Sequence, residues 1–159
     1  MIKAILAVEP NGPPVRGVEY VGAPNWFKEG PVSLAYGITS VPIAYAPAVK
    51  SASELVFVKD AKADAPDKVV CWQQKPPARQ LPNLQKMPIL VLTSEASYHA
   101  PYDHCTVRYL QQAGIKPTAI RLADLGIHGN SHVMMLEKNN KEIAAVINQW
   151  LDKALPGTQ

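Results

Sequence analysis

The sequence predicts an α/β fold with at least three parallel strands, flanking helices and a long proline-rich insertion that resembles a cap. Three runs of strand length indicate the sheet: IKAILAV at 2–8, MPILVLTSE at 87–95 and the weaker PTAIRLAD at 117–124. The first two runs are apolar on both faces, which is typical of parallel strands covered by helices on both sides. Helical patterns follow the second and the third run, so strands and helices alternate along the chain.

Two segments have the spacing of amphipathic helices. The first is DHCTVRYLQQAG at 103–114, where Asp103 is suited to the N-cap and Gly114 to the C-cap. The second is LEKNNKEIAAVINQWLDKAL at 136–155, which a Pro-Gly pair ends. Its apolar residues recur at helical spacing: Ile143, Val146, Ile147, Trp150 and Leu151. We expect both helices to pack on the sheet.

The segment between the first two predicted strands is different in character. Residues 10–88 hold twelve of the fifteen prolines and show little periodicity beyond a possible short strand at SELVFV, 53–58. An irregular excursion of this length is uncommon in a compact domain and usually belongs to a functional insertion. We interpret 15–86 as a cap-like insertion in one domain that spans 1–159, a length that suits a single core.

Composition excludes several classes of partner. The formal net charge of +3 comes from scattered Lys and Arg without a basic block, so we predict no nucleic-acid binding. The apolar runs are far shorter than the ~20 residues of a membrane span, so we predict no membrane partner. The N-terminal MIKAILAVEP lacks the cleavage site of a signal peptide. The compartment stays unknown, and the cytoplasm is only the default.

The two cysteines indicate little about the protein. Cys71 and Cys105 have no CxxC spacing and predict no disulfide framework, so either redox compartment is compatible with them. We interpret Cys105 as an inert thiol on the first helix, because apolar neighbours do not activate a nucleophile.

Chemistry-bearing residues gather where the predicted strands end. The four histidines lie within 34 residues, and Glu9 and Glu95 each follow a predicted strand. Sites in open α/β sheets form outside the carboxyl ends of the strands. The loop GIHGNSH at 126–132 has glycines that tolerate strained backbone, so it can present His132 to a pocket. An imidazole that takes a proton from a nucleophile needs a carboxylate to fix its tautomer, and Glu9 is suited to that task.

The chain resembles the C-terminal half of α/β-hydrolases, in particular an esterase-like group from fungi and bacteria. The resemblance extends from EPNGPP through MPILVLTSEASYHAPYDHCTVRYLQQAG to GIHGNSHVMMLEKNNKEIAAVINQWL, and its most specific block, GNSHVMMLEKNN, is similar to the catalytic-histidine loop. It implies a partial α/β-hydrolase fold with His132 as the catalytic base. In most members the acid is an Asp at the position of Ser97, whereas the esterase-like group carries a Glu where this chain has Glu9.

The nucleophile elbow of that family, Gly-x-Ser-x-Gly, is absent from this chain. Each serine lacks glycines at the required spacing: Ser33, Ser40, Ser51, Ser53, Ser94, Ser97 and Ser131. The resemblance therefore implies an incomplete catalytic triad, with the oxyanion-hole loop missing as well.

Structural interpretations of the same residues remain open. Glu9 could be a surface carboxylate in a proline turn, and His132 a capping or buried histidine. His99 and His128 are candidates for lining the pocket, although we favour exposed first-turn positions for His99 and His104. A zinc or copper site made from the four histidines has no supporting ligand motif, so we predict no metal and no cofactor.

Two functions of different classes follow from the sequence. The first is an ester hydrolase that acts on a small-molecule ester and is inactive alone or completed by a chain with the N-terminal half. The second is a non-catalytic remnant that acts as a binding or oligomerisation module. The apolar edge of 2–8 would invite another chain, so a homo-oligomer is expected.

Overall fold

A computed structural model describes residues 2–13, 15–16, 32–33 and 43–157. In this part of the chain the regular elements are, in order, β1 (Ile5–Val8), β2 (Val15–Arg16), β3 (Val32–Ser33), β4 (Phe57–Lys59), β5 (Trp72–Gln74), β6 (Ile89–Thr93), α1 (Asp103–Gln112), β7 (Thr118–Arg121) and α2 (Asn140–Ala154). Short 3-10 turns occupy Ala52–Glu54, Leu122–Leu125 and Met134–Leu136.

The three predicted strands form one parallel sheet in the order β1-β6-β7. Ile5 of β1 lies opposite Ile89 of β6, and Leu90 of β6 lies opposite Thr118 of β7. The prediction of three parallel strands is confirmed, although each strand is shorter than the run of residues that predicted it. The carboxyl ends of β1 and β6 consequently meet at one edge of the sheet.

The central strand β6 is covered on both faces. All five of its residues are buried. Leu90 and Leu92 pack in one cluster with Trp150 of α2, whereas Ile89 packs in another with Tyr109 of α1. Because successive side chains of a strand point to opposite faces, α1 and α2 cover opposite sides of the sheet. This explains why the 87–95 run is apolar without alternation.

The start of α1 corrects one expectation. Asp103 is the first helical residue, Tyr102 occupies the N-cap, and no side chain caps the helix. The carboxylate of Asp103 is bound instead by His99 and Thr93, so it is not available for the helix terminus. Gly114 follows the helix with a φ of +82°, which is the left-handed conformation expected after a helix end.

The second helix begins later than its sequence pattern. Residues Met134–Leu136 form a separate 3-10 turn, and Glu137 has extended backbone with ψ of 158°. The side chain of Glu137 accepts hydrogen bonds from Ser131, which holds this residue outside the helix. α2 therefore starts at Asn140 rather than near Leu136.

The predicted insertion contains two antiparallel strand pairs. β2 pairs with β3, and β4 pairs with β5 where Phe57 lies opposite Gln74. The short strand predicted at 53–58 thus begins at Phe57. Residues 17–31 and 34–42 of this segment lie outside the described residues, and the cap-like insertion and the single domain of 1–159 stay predictions.

A disulfide between Cys71 and Cys105 corrects the interpretation of the cysteines. The bond connects the residue before β5 to α1 and closes a separation of 34 residues. Both residues are buried. Spacing did not indicate this pair, because a separation of 34 residues matches no cysteine motif and only the fold brings the two side chains together. Disulfides of this kind persist in oxidising surroundings.

The described helices include none that combines the length and the apolar character needed to cross a membrane.

We expect loss of the disulfide to lower the free energy of unfolding. Cross-linking across 34 residues contributes roughly 3–4 kcal/mol by restricting the unfolded chain. Urea unfolding should therefore show a lower midpoint for the Cys71→Ala/Cys105→Ala double variant and for the reduced wild type. The reductant should leave the double variant unaffected, and equal midpoints for reduced and oxidised wild type would contradict the prediction.

Candidate acid–base site

Glu9 follows β1 directly and has strained backbone. Its φ is +47°, in the left-handed region that residues other than glycine rarely adopt. Such a conformation costs about 1–3 kcal/mol and persists only where surrounding contacts impose it. The backbone N–H of Glu9 donates to the carbonyl of Leu92 at 3.0 Å, which extends the pairing of β1 with β6 by one residue. The sharp turn then directs the side chain across the end of β6.

The carboxylate of Glu9 is buried and fully engaged. Its Oε1 accepts hydrogen bonds from the Ser94 hydroxyl and, at 3.0 Å, from the Ser94 backbone N–H. Its Oε2 accepts from the Ser97 hydroxyl at 2.7 Å and from Nδ1 of His132 at 2.7 Å. A buried carboxylate is costly unless it is paired and hydrogen-bonded, and here four donors satisfy it. Glu9 is only 4% exposed.

His132 reaches Glu9 from the other end of the chain and remains accessible. Its side chain is 43% exposed, in contrast to the buried carboxylate. The Nδ1–H donates to Glu9, so Nε2 is the nitrogen left to act on a substrate or nucleophile. The imidazole also stacks on His99, with ring centroids 4.6 Å apart and planes 6° apart. Tyr98 contacts the same ring at 4.8 Å.

The loop that presents His132 is held by two further carboxylates. Glu95 accepts from the backbone N–H of Gly129 at 3.0 Å and from His128 at 3.2 Å. Glu137 accepts from the backbone N–H and the hydroxyl of Ser131. The Gly129 N–H, followed by His128, lowers the pKa of Glu95. The Ser131 hydroxyl, followed by its N–H, lowers the pKa of Glu137. Loop position therefore depends on ionised carboxylates.

A second histidine–carboxylate pair lies beneath the first. His99 is fully buried, and its Nδ1 lies 3.0 Å from Asp103, whose other oxygen accepts from the Thr93 hydroxyl at 2.8 Å. Burial raises the pKa of Asp103, and the bonds from His99 and Thr93 oppose that rise. The favoured exposed position for His99 was wrong. The spacing of four residues between His99 and Asp103 was the available signal for the pair.

The other two histidines lie apart from Glu9. His128 is exposed and faces Glu95 at the surface. His104 places Nε2 3.2 Å from the sulfur of Cys71, beside the disulfide. Burial lowers the pKa of His104, and the charge of Asp64 opposes this. The structure thus brings His132 and His99 together at Glu9, and leaves His128 and His104 elsewhere.

Two groups of side chains in the described residues are close enough to suggest a metal site: Cys71, His104 and Cys105, and Glu9, His99 and His132. In the first group the sulfurs are joined to each other and are not thiolates. In the second, Nδ1 of each histidine already hydrogen-bonds a carboxylate, which leaves Nε2 as the other nitrogen of each ring. The prediction of no metal stays a prediction.

The serines near the site bind carboxylates rather than the histidine. Ser94 and Ser97 donate to Glu9, and Ser131 donates to Glu137. Within the described part of the chain, His132 hydrogen-bonds Glu9 and no serine. The arrangement can therefore hold an imidazole in one tautomer and accept a proton at Nε2, but these serines do not supply a nucleophile to it.

Comparison with known proteins gives one extended match in sequence. No model of a known protein family matches the chain. The chain is 40% identical over 155 residues to a protein named "Probable secreted lipase phiG" from Fungal sp. (strain ATCC 74256). The match covers 96% of this chain, and the chain spans 40% of the length of that relative. The chain is therefore related in sequence to a lipase-like hydrolase.

One solved structure is similar over part of the chain. It is described as "The Atomic Resolution Structure of a Novel Bacterial Esterase", is 33% identical and has a TM-score of 0.40. The similarity covers 45% of this chain and 24% of the esterase. The α/β-hydrolase fold, as distinct from a parallel α/β sheet, stays a prediction.

We expect Glu137→Gln to lower the melting temperature at pH 7. The folded pKa of Glu137 lies below its ordinary 4.5, so the stability it contributes is present above that value and is lost as pH falls through the folded pKa. When melting temperatures are measured from pH 7 down to acid pH, the values for the variant and the wild type should converge at the acid end. Glu142→Gln, on α2 outside the loop, is the matched control. A difference for Glu137→Gln that stays constant with pH would contradict the prediction.

Proposed function

We propose that Glu9 and His132 are the acid and the base of a serine-type ester hydrolase whose nucleophile comes from a segment outside this sequence. The observation that carries the proposal is the 2.7 Å hydrogen bond between a buried carboxylate and a half-exposed imidazole. The 40% identity to a protein named as a lipase supports the same reaction class. The substrate class is a small-molecule carboxylic ester, and the reaction needs no cofactor.

The pair performs the proton transfers of acyl transfer. Nε2 of His132 takes the proton of a serine hydroxyl while its oxygen attacks the ester carbonyl. The imidazolium then returns the proton to the leaving alcohol as the carbon–oxygen bond of the ester breaks. Water attacks the acyl-enzyme with the same assistance and releases the acid and the serine. Throughout, Glu9 accepts the hydrogen bond from Nδ1–H and stabilises the imidazolium.

The burial of Glu9 suits this role. Its four hydrogen bonds fix the carboxylate before His132 is protonated, so no reorganisation is needed during the reaction. Water has little access to a group that is 4% exposed. The hydrogen bond from Nδ1 of His132 to Glu9 is therefore shielded from competition by solvent.

The absence of a Gly-x-Ser-x-Gly elbow from the sequence supports a nucleophile supplied elsewhere. The lipase relative is longer, since this chain spans 40% of it. The nucleophile segment belongs to a preceding part of a longer protein or to a separate chain. The oxyanion donors would come with it.

A second candidate function is assembly through the sheet edge. Among the described residues, β1 pairs with a strand on one side alone, and Leu6 on it is 42% exposed. A partly apolar strand edge without a partner invites another strand. The partner would be a second copy of the chain or the segment that carries the nucleophile.

We expect activity to require both the pair and the missing segment. The 159-residue chain alone should not hydrolyse a short-chain p-nitrophenyl ester, whereas a longer protein in which the nucleophile segment is joined to it should. In the longer protein His132→Ala and Glu9→Gln should each lower kcat by about 10²–10⁴-fold, the usual range for general acid–base catalysis. His104→Ala, a histidine beside the disulfide and away from Glu9, is the matched control.

Two results would contradict the assignment. Activity of the longer protein that survives His132→Ala would remove this residue from the mechanism. Activity of the 159-residue chain that disappears in both variants would place the nucleophile within the chain.

We expect the isolated chain to self-associate through β1. Sedimentation velocity at increasing concentration should show a dimer or larger species, and Leu6→Lys should shift it to monomer by placing a charge at the edge. Leu125→Lys, at an exposed position away from β1, should not. A wild-type chain that stays a compact monomer at high concentration would contradict the prediction.

A further inference from the structure

His132 needs more than Glu9 to be held in one orientation. The hydrogen bond fixes Nδ1 but leaves the ring free to tilt about that atom. The ring is 43% exposed and lies on a loop whose glycines have positive φ. An imidazole that must present Nε2 to a nucleophile has to be restrained in plane as well as in position, because small misplacements reduce the rate strongly.

The flat face that supplies this restraint is His99. Its ring is parallel to that of His132 within 6°, at a centroid distance of 4.6 Å. Tyr98 contacts both imidazoles, at 4.4 Å from His99 and 4.8 Å from His132. If His132 tilted, its edge would clash with the face of His99, which is fully buried and cannot move aside in a close-packed interior.

His99 is itself immobilised by polar contacts. Asp103 binds its Nδ1, and Thr93 at the end of β6 binds the same carboxylate. The backbone N–H of His99 donates to the Ser97 hydroxyl at 3.1 Å. That hydroxyl donates to Glu9, so both histidine–carboxylate pairs share one serine. The orientation of His99 is thereby set from the central strand.

The polar character of this buried pair needs an explanation. Burying a carboxylate and an imidazole costs more desolvation free energy than burying an apolar ring of similar volume. In addition, Nε2 of His99 has no hydrogen-bond partner in the described residues. A phenylalanine could fill the space, but it could not be oriented by a carboxylate.

We infer that His99, oriented by Asp103, is a positioning residue that fixes the ring plane of His132 for proton transfer. The inference rests on the proposed function of the Glu9–His132 pair. His99 touches no reacting atom and acts through His132.

The test is proton NMR of the 159-residue chain, which needs no catalysis. Each imidazole Nδ1–H that binds a carboxylate should give a resonance far downfield of the amides, so two are expected. Glu9→Gln should remove the His132 signal and Asp103→Asn the His99 signal. Asp103→Asn should also make the remaining His132 proton exchange with solvent several-fold faster, because its ring is no longer held in plane.

Further variants keep the inference falsifiable if one fails to fold. His99→Ala should accelerate the same exchange, and Thr93→Val should do so to a smaller extent. Thr106→Val, a buried position on α1 outside the pair, is the control and should leave the signal unchanged. Amide spectra verify folding in each case.

The outcomes separate this inference from the function it rests on. An exchange rate of the His132 proton that is unchanged in folded Asp103→Asn and His99→Ala would overturn the positioning role alone. A downfield His132 signal that survives Glu9→Gln would instead remove the acid–base pair, and the positioning role with it.

Discussion

A buried carboxylate in a left-handed turn is the constraint on which the site depends. Glu9 adopts a φ of +47° at the end of β1, and this conformation turns its side chain across the end of β6. Ordinary extended backbone would continue β1 past the sheet. The strain is maintained because Ser94, Ser97 and His132 all bind the carboxylate that the turn delivers. The strained backbone of Glu9 and the hydrogen bonds to its carboxylate therefore depend on each other.

The parallel sheet supplies the positions that make this network possible. Parallel strands end at the same edge, so residues after β1 and β6 meet although 85 positions separate Glu9 from Ser94. The loop before α2 completes the site at the same edge with His132. The fold thus assembles three distant segments around one negative charge, which agrees with the general location of sites in open α/β sheets.

The sequence predicted the sheet well and the site only in part. Long apolar runs marked β1, β6 and β7 because burial on both faces leaves a strong pattern. Glu9 and His132 could be paired through the family resemblance and the strand ends. The His99–Asp103 pair was missed because a histidine near a helix start is ordinarily exposed. The disulfide was missed because covalent pairing between distant cysteines depends on tertiary structure alone.

The hydroxyl of Ser97 has a consequence for how the site responds to change. It donates to Glu9 and accepts from the backbone of His99, so it couples the accessible pair thermodynamically to the buried one. Groups that share a partner give non-additive free energies when they are altered together. The free-energy losses caused by substitutions at Glu9 and at Asp103 are therefore not independent, so a change at the buried pair also alters the stability of the accessible one.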